Sequence, residues 1–146
     1  MNTKILIILI ILIGLGTGGF FIFNQKNNNV EDIGNALEKQ DLIKLDIPRP
    51  NEVIQSPLVI KGEARGYWFF EASFPAKLLD EKGEELGRAI VQAQSDWMTE
   101  NFVRFRATLE FQKSTTEKGT LILEKDNPSG LPENADELRI PVRFDK

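Results

Sequence analysis

Chemistry needs side chains that can move a proton, hold a metal or offer a nucleophile, and this sequence supplies few. It has no histidine and no cysteine. Histidine is the commonest general base and a common zinc ligand, so Ser-His-Asp and Cys-His catalysis have no residue to act as base. Absent cysteine removes disulfides, thiolate metal sites and a lipidated N-terminal cysteine. Carboxylate, Ser-Lys and metal-water chemistry remain. Glu84, Glu85, Glu133, Asp136 and Glu137 fall in turns or at element ends. There a pair of carboxylates flanking a glycosidic bond finds little room for a substrate cleft, and solvated surface is the better reading. The expectation is a protein that is not an enzyme, with no catalytic residue, cofactor or metal.

Binding is better represented. Asp126-Asn127-Pro128-Ser129-Gly130 carries oxygens that could meet a cation or a sugar. The same residues are turn chemistry, since Asn and Asp cap their own backbone, Pro fixes φ and Gly permits the left-handed region. Calcium takes six to eight oxygen ligands, and no EF-hand spacing is present, so the turn reading is preferred. Asp96-Trp97-Met98, with Phe102 close by, could stack on a sugar ring or a peptide, or could plug one end of a core; the plug is favoured. Tyr67 and Phe69 alternate with Trp68 and are expected on an exposed face. The residues singled out for partner contact are Tyr67, Phe69, Trp97, Phe102, Asp126 and Asn127.

The elements that would hold these residues are strands. From Ser56 to Phe74 the sequence reads as two strands joined at Ala64-Arg65-Gly66. Leu58, Ile60, Gly62 and Ala64 share one parity, and Trp68, Phe70, Ala72 and Phe74 share another. Such period-two alternation marks strands with one buried face. A first strand runs from Ile43 to Ile47. Leu78-Leu79 leads into a hairpin turn at Asp80-Glu81-Lys82-Gly83, and a fourth strand covers Leu86 to Gln94. Val103 to Phe111 makes the fifth, Thr120 to Lys125 the sixth and Leu138 to Phe144 the seventh. Pro141 cannot donate a ladder hydrogen bond, so the seventh is expected at a sheet edge with its proline nitrogen facing outward. Seven short strands with an early tryptophan predict an all-β, immunoglobulin-like sandwich, held by packing alone.

Before this domain (residues 43–146) come two other segments. Residues 1–26 contain an apolar run from Ile5 to Phe23 that as a helix spans about 28 Å, close to the hydrocarbon thickness of a bilayer. An uncleaved single-pass transmembrane helix is expected over a cleaved signal, because no small-residue cleavage site follows Phe23. Lys4 before the run favours a cytoplasmic N-terminus and an extracytoplasmic domain. Gly14 and Gly18 have the spacing that lets membrane helices approach. Residues 27–42 read as a polar stalk with a transient helix. The net charge of −4 argues against a nucleic-acid partner.

Several segments together resemble a known family. Pro50 to Leu58, Gly62-Glu63-Ala64-Arg65-Gly66, Phe70 to Pro75, Asp80 to Gly83, Asp96-Trp97-Met98, Lys125 to Gly130 and Ile140-Pro141-Val142 are similar to the bacterial spore-germination immunoglobulin-like domain, found associated with the GerM-type module. The resemblance implies an extracytoplasmic β-sandwich with no catalytic residues to carry over. The chain departs from it in reading as anchor, stalk and domain without a GerM-type module. The function expected is a membrane-anchored binding or structural module of the cell envelope, its partner an envelope protein or glycan. The alternative is a carbohydrate- or peptidoglycan-binding accessory domain serving an envelope enzyme.

Overall fold

The computed structural model describes residues 30–145. The apolar run Ile5–Phe23, its Gly14/Gly18 pair and the first part of the stalk lie outside the described residues. Among the described residues no helix is long and apolar enough to cross a membrane.

A four-residue helix, α1 (Ala36–Lys39), precedes eight strands: β1 (Ile43–Ile47), β2 (Val53–Ile54), β3 (Leu58–Arg65), β4 (Ser73–Asp80), β5 (Glu85–Ala93), β6 (Phe102–Leu109), β7 (Lys118–Glu124) and β8 (Glu137–Phe144). Alternation decides half of them. Successive side chains in β3, β4, β6 and β8 are buried and exposed in turn, as a strand with one face on a core requires. The strand order is β1-β3-β6-β5-β4-β7-β8-β2, antiparallel throughout except for the parallel pair β2–β8.

Two expectations are corrected here. The strands number eight, because β2 is a two-residue strand too short to show a period. They also form one hydrogen-bonded sheet, where two sheets were expected. β5 pairs with β4 along its length and with β6 at Gln92 and Ala93. A further bond from the Gln112 N–H to the Leu86 carbonyl, 3.0 Å, holds its other end. The sheet curls, so that Phe74 of β4 meets Phe105 of β6 edge-to-face at 5.2 Å inside one continuous core.

The seam of the curl falls between β1 and β8, and the N-terminal segment closes it. Alternate residues of β8 turn their backbone groups away from β7, and each finds a partner. The Arg139 N–H donates to Asn35 Oδ1 at 2.7 Å, and Asn35 Nδ2 donates to the Glu137 carbonyl at 3.0 Å. The Asn51 N–H reaches the Pro141 carbonyl at 2.7 Å, and the Arg143 N–H reaches the Glu52 carbonyl at 2.9 Å. The strand containing Pro141 is therefore next to the edge, not at it. Its proline is tolerated because β2 pairs only with Arg143 and Phe144, leaving the side where the proline nitrogen points without a ladder. Gly34 lets the chain pass this close: a Cβ there would stand 1.9 Å from the Arg139 carbonyl oxygen.

The largest departure concerns Tyr67 to Phe74, expected as a strand paired with β3. β3 instead lies between β1 and β6, and β4 between β5 and β7. The connection must pass the ends of β6 and β5. It does so through a 3-10 turn, Gly66–Trp68, and a tight reversal in which Phe70 and Ser73 exchange both backbone hydrogen bonds, at 2.9 and 3.1 Å. Glu71 and Ala72 at its tip have φ of 48° and 62°, the left-handed pair that a two-residue hairpin needs and that asparagine or glycine normally supplies. A Cβ in that region costs about 1–2 kcal/mol, part of which the greater chain entropy of unfolded glycine offsets. Ala72→Gly should stabilise the domain by about 0.5–1 kcal/mol in denaturant titrations. Destabilisation would contradict the left-handed reversal.

Candidate functional site

The antiparallel topology carries the connections β3–β4, β5–β6 and β7–β8 to one end of the sheet. Tyr67, Phe69, Trp97, Asp126 and Asn127 belong to these loops, and Phe102 opens the strand beside them. The loops are fastened to one another through backbone. The Gly66 N–H donates to the Asn101 carbonyl at 3.1 Å, the Ala93 N–H to Ala72 at 2.8 Å, and the Asp126 N–H to Trp68 at 3.0 Å. A Cβ at Gly66 would lie 1.8 Å from the Thr99 carbonyl oxygen, so only glycine lets the first two loops touch.

Within the crossover the strand period is lost, because a 3-10 turn at Gly66–Trp68 gives way to extended backbone at Phe69. Tyr67 and Phe70 face solvent, 50 % and 43 % exposed, while Trp68 and Phe69 turn into the core. Phe69 is only 4 % exposed and packs on Phe74 with ring centroids 5.0 Å apart. Expecting it on an exposed face was wrong, for this reason. Trp97 is half-buried against the core, the plug role favoured for it, and its neighbour Met98 stands out at 77 % exposure. Phe102 lies apart from these, on the outer face of the sheet. Its ring sits beneath Lys44 Nζ at 4.3 Å and Arg65 Cζ at 4.1 Å.

The Asp126–Gly130 loop is built as a turn. Asn127 Nδ2 donates to the Leu131 carbonyl at 2.8 Å, and its Oδ1 accepts from Ser129 Oγ at 2.5 Å. Gly130 has φ +67°. Asn127 thus spends its side chain locally. Beside it opens a cleft of about 610 Å³ lined by Glu124, Asp126, Asp136 and Glu137 with Pro75 and Lys125. Lys77 holds Glu124, Lys39 holds Asp136 at 2.5 Å, and Arg139 holds Glu137 at 2.6 Å. Among the described residues the Asp126 carboxylate has no cationic partner, and no group of three or more acidic side chains is placed to hold a metal ion. Away from this end, two hydrogen bonds of 2.7 Å from the Arg88 guanidinium hold the Glu85 carboxyl below its usual range.

The exposed apolar groups that alternation missed are Phe70, Met98 and Leu131. For Phe70 and Leu131 the signal was a nearby glycine, Gly66 and Gly130, that breaks the strand period. Phe69→Ala should cost about 3–5 kcal/mol as a buried aromatic truncation, and Phe70→Ala about 0.5–1 kcal/mol as a surface change, measured by denaturant melts. The opposite order would restore the strand reading of this segment.

Compared with known proteins, residues 42–130 match the family described as the immunoglobulin-like domain of bacterial spore germination. The match runs from the start of β1 through the Asp126–Gly130 turn and leaves β8 outside. No curated protein and no solved structure matches the chain.

Proposed function

Because this chain belongs to the immunoglobulin-like domain family of bacterial spore germination, we propose that it is a binding module of the cell envelope, without catalytic activity of its own, that meets a protein partner through the loop-bearing end of its sheet. One observation carries this reading. Tyr67, Phe70, Met98 and Leu131 are large, apolar and exposed on three loops that are tied together and seated on a packed core. Binding residues favour loops positioned by a rigid scaffold, and aromatic and methionine side chains are enriched where proteins meet. Lys4 and the apolar run Ile5–Phe23 support an anchor with the domain outside the membrane. Against catalysis stands the cleft's own chemistry. Glu124, Asp136 and Glu137 are each held by a cation, so none of the three is an unpaired carboxylate offered to a substrate.

A glycan is the second reading, favoured by the polar lining of the cleft around the uncompensated Asp126. The sequence lacks cysteine, so one introduced thiol can be addressed alone. With Met98→Cys in the full chain, a membrane-impermeant thiol cross-linker added to intact cells should give a discrete protein adduct that is lost when Tyr67 and Phe70 are replaced by serine. Lys82→Cys, in the turn at the opposite end, should give none. Identical adducts from both positions would sink the proposal, and failure to label Met98→Cys from outside would refute the extracytoplasmic address.

A further inference from the structure

The outer face of β1, β3 and β6 bears a charge arrangement that the fold does not explain. Register places Lys61 directly opposite Arg106, with Ile47 and Gln92 completing the row across β1 and β5. Directly opposed like charges in a sheet are destabilising. Other like-charged pairs also face each other across this sheet. Glu124 opposite Glu137 is relieved by Lys77 and Arg139, and Lys77 opposite Arg88 by Glu124 and Glu85. Lys118 stands opposite Arg143 near the far end of the sheet. Lys61 and Arg106 have no such relief: among the described residues neither has an acidic partner within salt-bridge distance. In the next row Lys44, Glu63 and Arg104 lie side by side, with Asp46 joining Arg104 at 2.8 Å. Beyond it Arg65 stands opposite Phe102, whose ring Lys44 and Arg65 share. Five cations thus face two carboxylates on a chain whose net charge is −4.

We propose that this face is a binding surface for a linear polymer carrying phosphate groups, with Lys61 and Arg106 as its central contacts. Charge complementarity names the ligand's sign. The extent of the patch names its form, because three rows along a strand cover about 13 Å, more than one anionic group fills. Arginine matches phosphate oxygens with a planar fork of donors, and the Gln92 amide beside Arg106 adds a neutral donor. Phe102 holds Lys44 and Arg65 against its ring, which limits the freedom they would lose on binding. A membrane surface fits less well. Surface-binding elements insert Trp, Phe or Leu between lipids, whereas the aromatic ring here is capped by cations.

The test uses the full chain in detergent with uncharged headgroups and linear inorganic polyphosphate as probe, titrated across a salt series. Wild type should bind, with affinity falling as salt rises. Lys61→Gln with Arg106→Gln should weaken binding at least tenfold at low salt and flatten the plot of log affinity against log salt by about 1.4, the slope of two lost phosphate contacts on a single strand. The melting temperature should hold or rise, since a repulsion is removed. Arg88→Gln on β5 should change nothing. If the double variant loses its fold, Lys61→Gln alone should flatten the slope by about 0.7. The proposal is overturned if the double variant binds like wild type, or if orthophosphate competes as well as the polymer. Binding to phosphatidylglycerol vesicles but not to polyphosphate overturns it equally.

Discussion

The burial of Trp68 is the constraint on which the loop-bearing end depends. The chain leaves β3 on one side of the curled sheet and must enter β4 on the other, passing two strand ends with no regular partner. Trp68 is fully buried on that path, and its carbonyl accepts the Asp126 N–H. One residue therefore closes the core, fixes the crossover and anchors the loop beside the acidic cleft. An aromatic of this size contributes more to a core than any other side chain. Without it the tethers to Asn101 and Asp126 would have nothing rigid behind them.

At the opposite flank the problem is backbone polarity. A curled sheet that does not close leaves strand edges whose N–H and C=O groups must find partners. β8 meets this with residues from before β3: Asn35 substitutes for a strand at Glu137 and Arg139, Asn51 at Pro141, and β2 at the end. The segment from Gly34 to Ile54 is thus part of the domain's frame. α1 belongs to it as well, since Lys39 pairs with Asp136 on the rim of the cleft. Asn35, which lies within the 27–42 segment that composition reads as a stalk, hydrogen-bonds β8.

What was legible in the sequence follows from period two. β1, β3, β5, β6, β7 and β8 were found within a residue or two, and β3, β6 and β8 most plainly, because each buries one face and exposes the other. The turn at Asp80 to Gly83 was equally plain: Asp80 Oδ1 accepts from the Lys82 and Glu84 N–H groups, ordinary turn chemistry. Tyr67 to Phe74 misled, because six of its eight residues are aromatic or alanine and satisfy either period. A 3-10 turn followed by a left-handed reversal leaves no mark there beyond Gly66. Strand neighbours were not legible, since alternation says which face is buried and nothing about which strand lies alongside. For that reason Lys61 and Arg106, far apart in the chain, could not be placed side by side, and whole-chain charge concealed the basic face they form together. Phe102 was singled out as an aromatic, but the cations that cover it came from register alone.

The central claim is that the loops form a platform as rigid as the sheet beneath them. Amide hydrogen exchange on the full chain tests it most directly. The Gly66, Phe69, Ser73 and Asp126 amides, each bonded across or within the loop end, should be protected to an extent approaching the amides of β3 and β6, opening only with large-scale unfolding. Exchange at those four positions as fast as in unstructured peptide, with β3 and β6 still protected, would contradict the account and leave the exposed aromatics on a mobile loop.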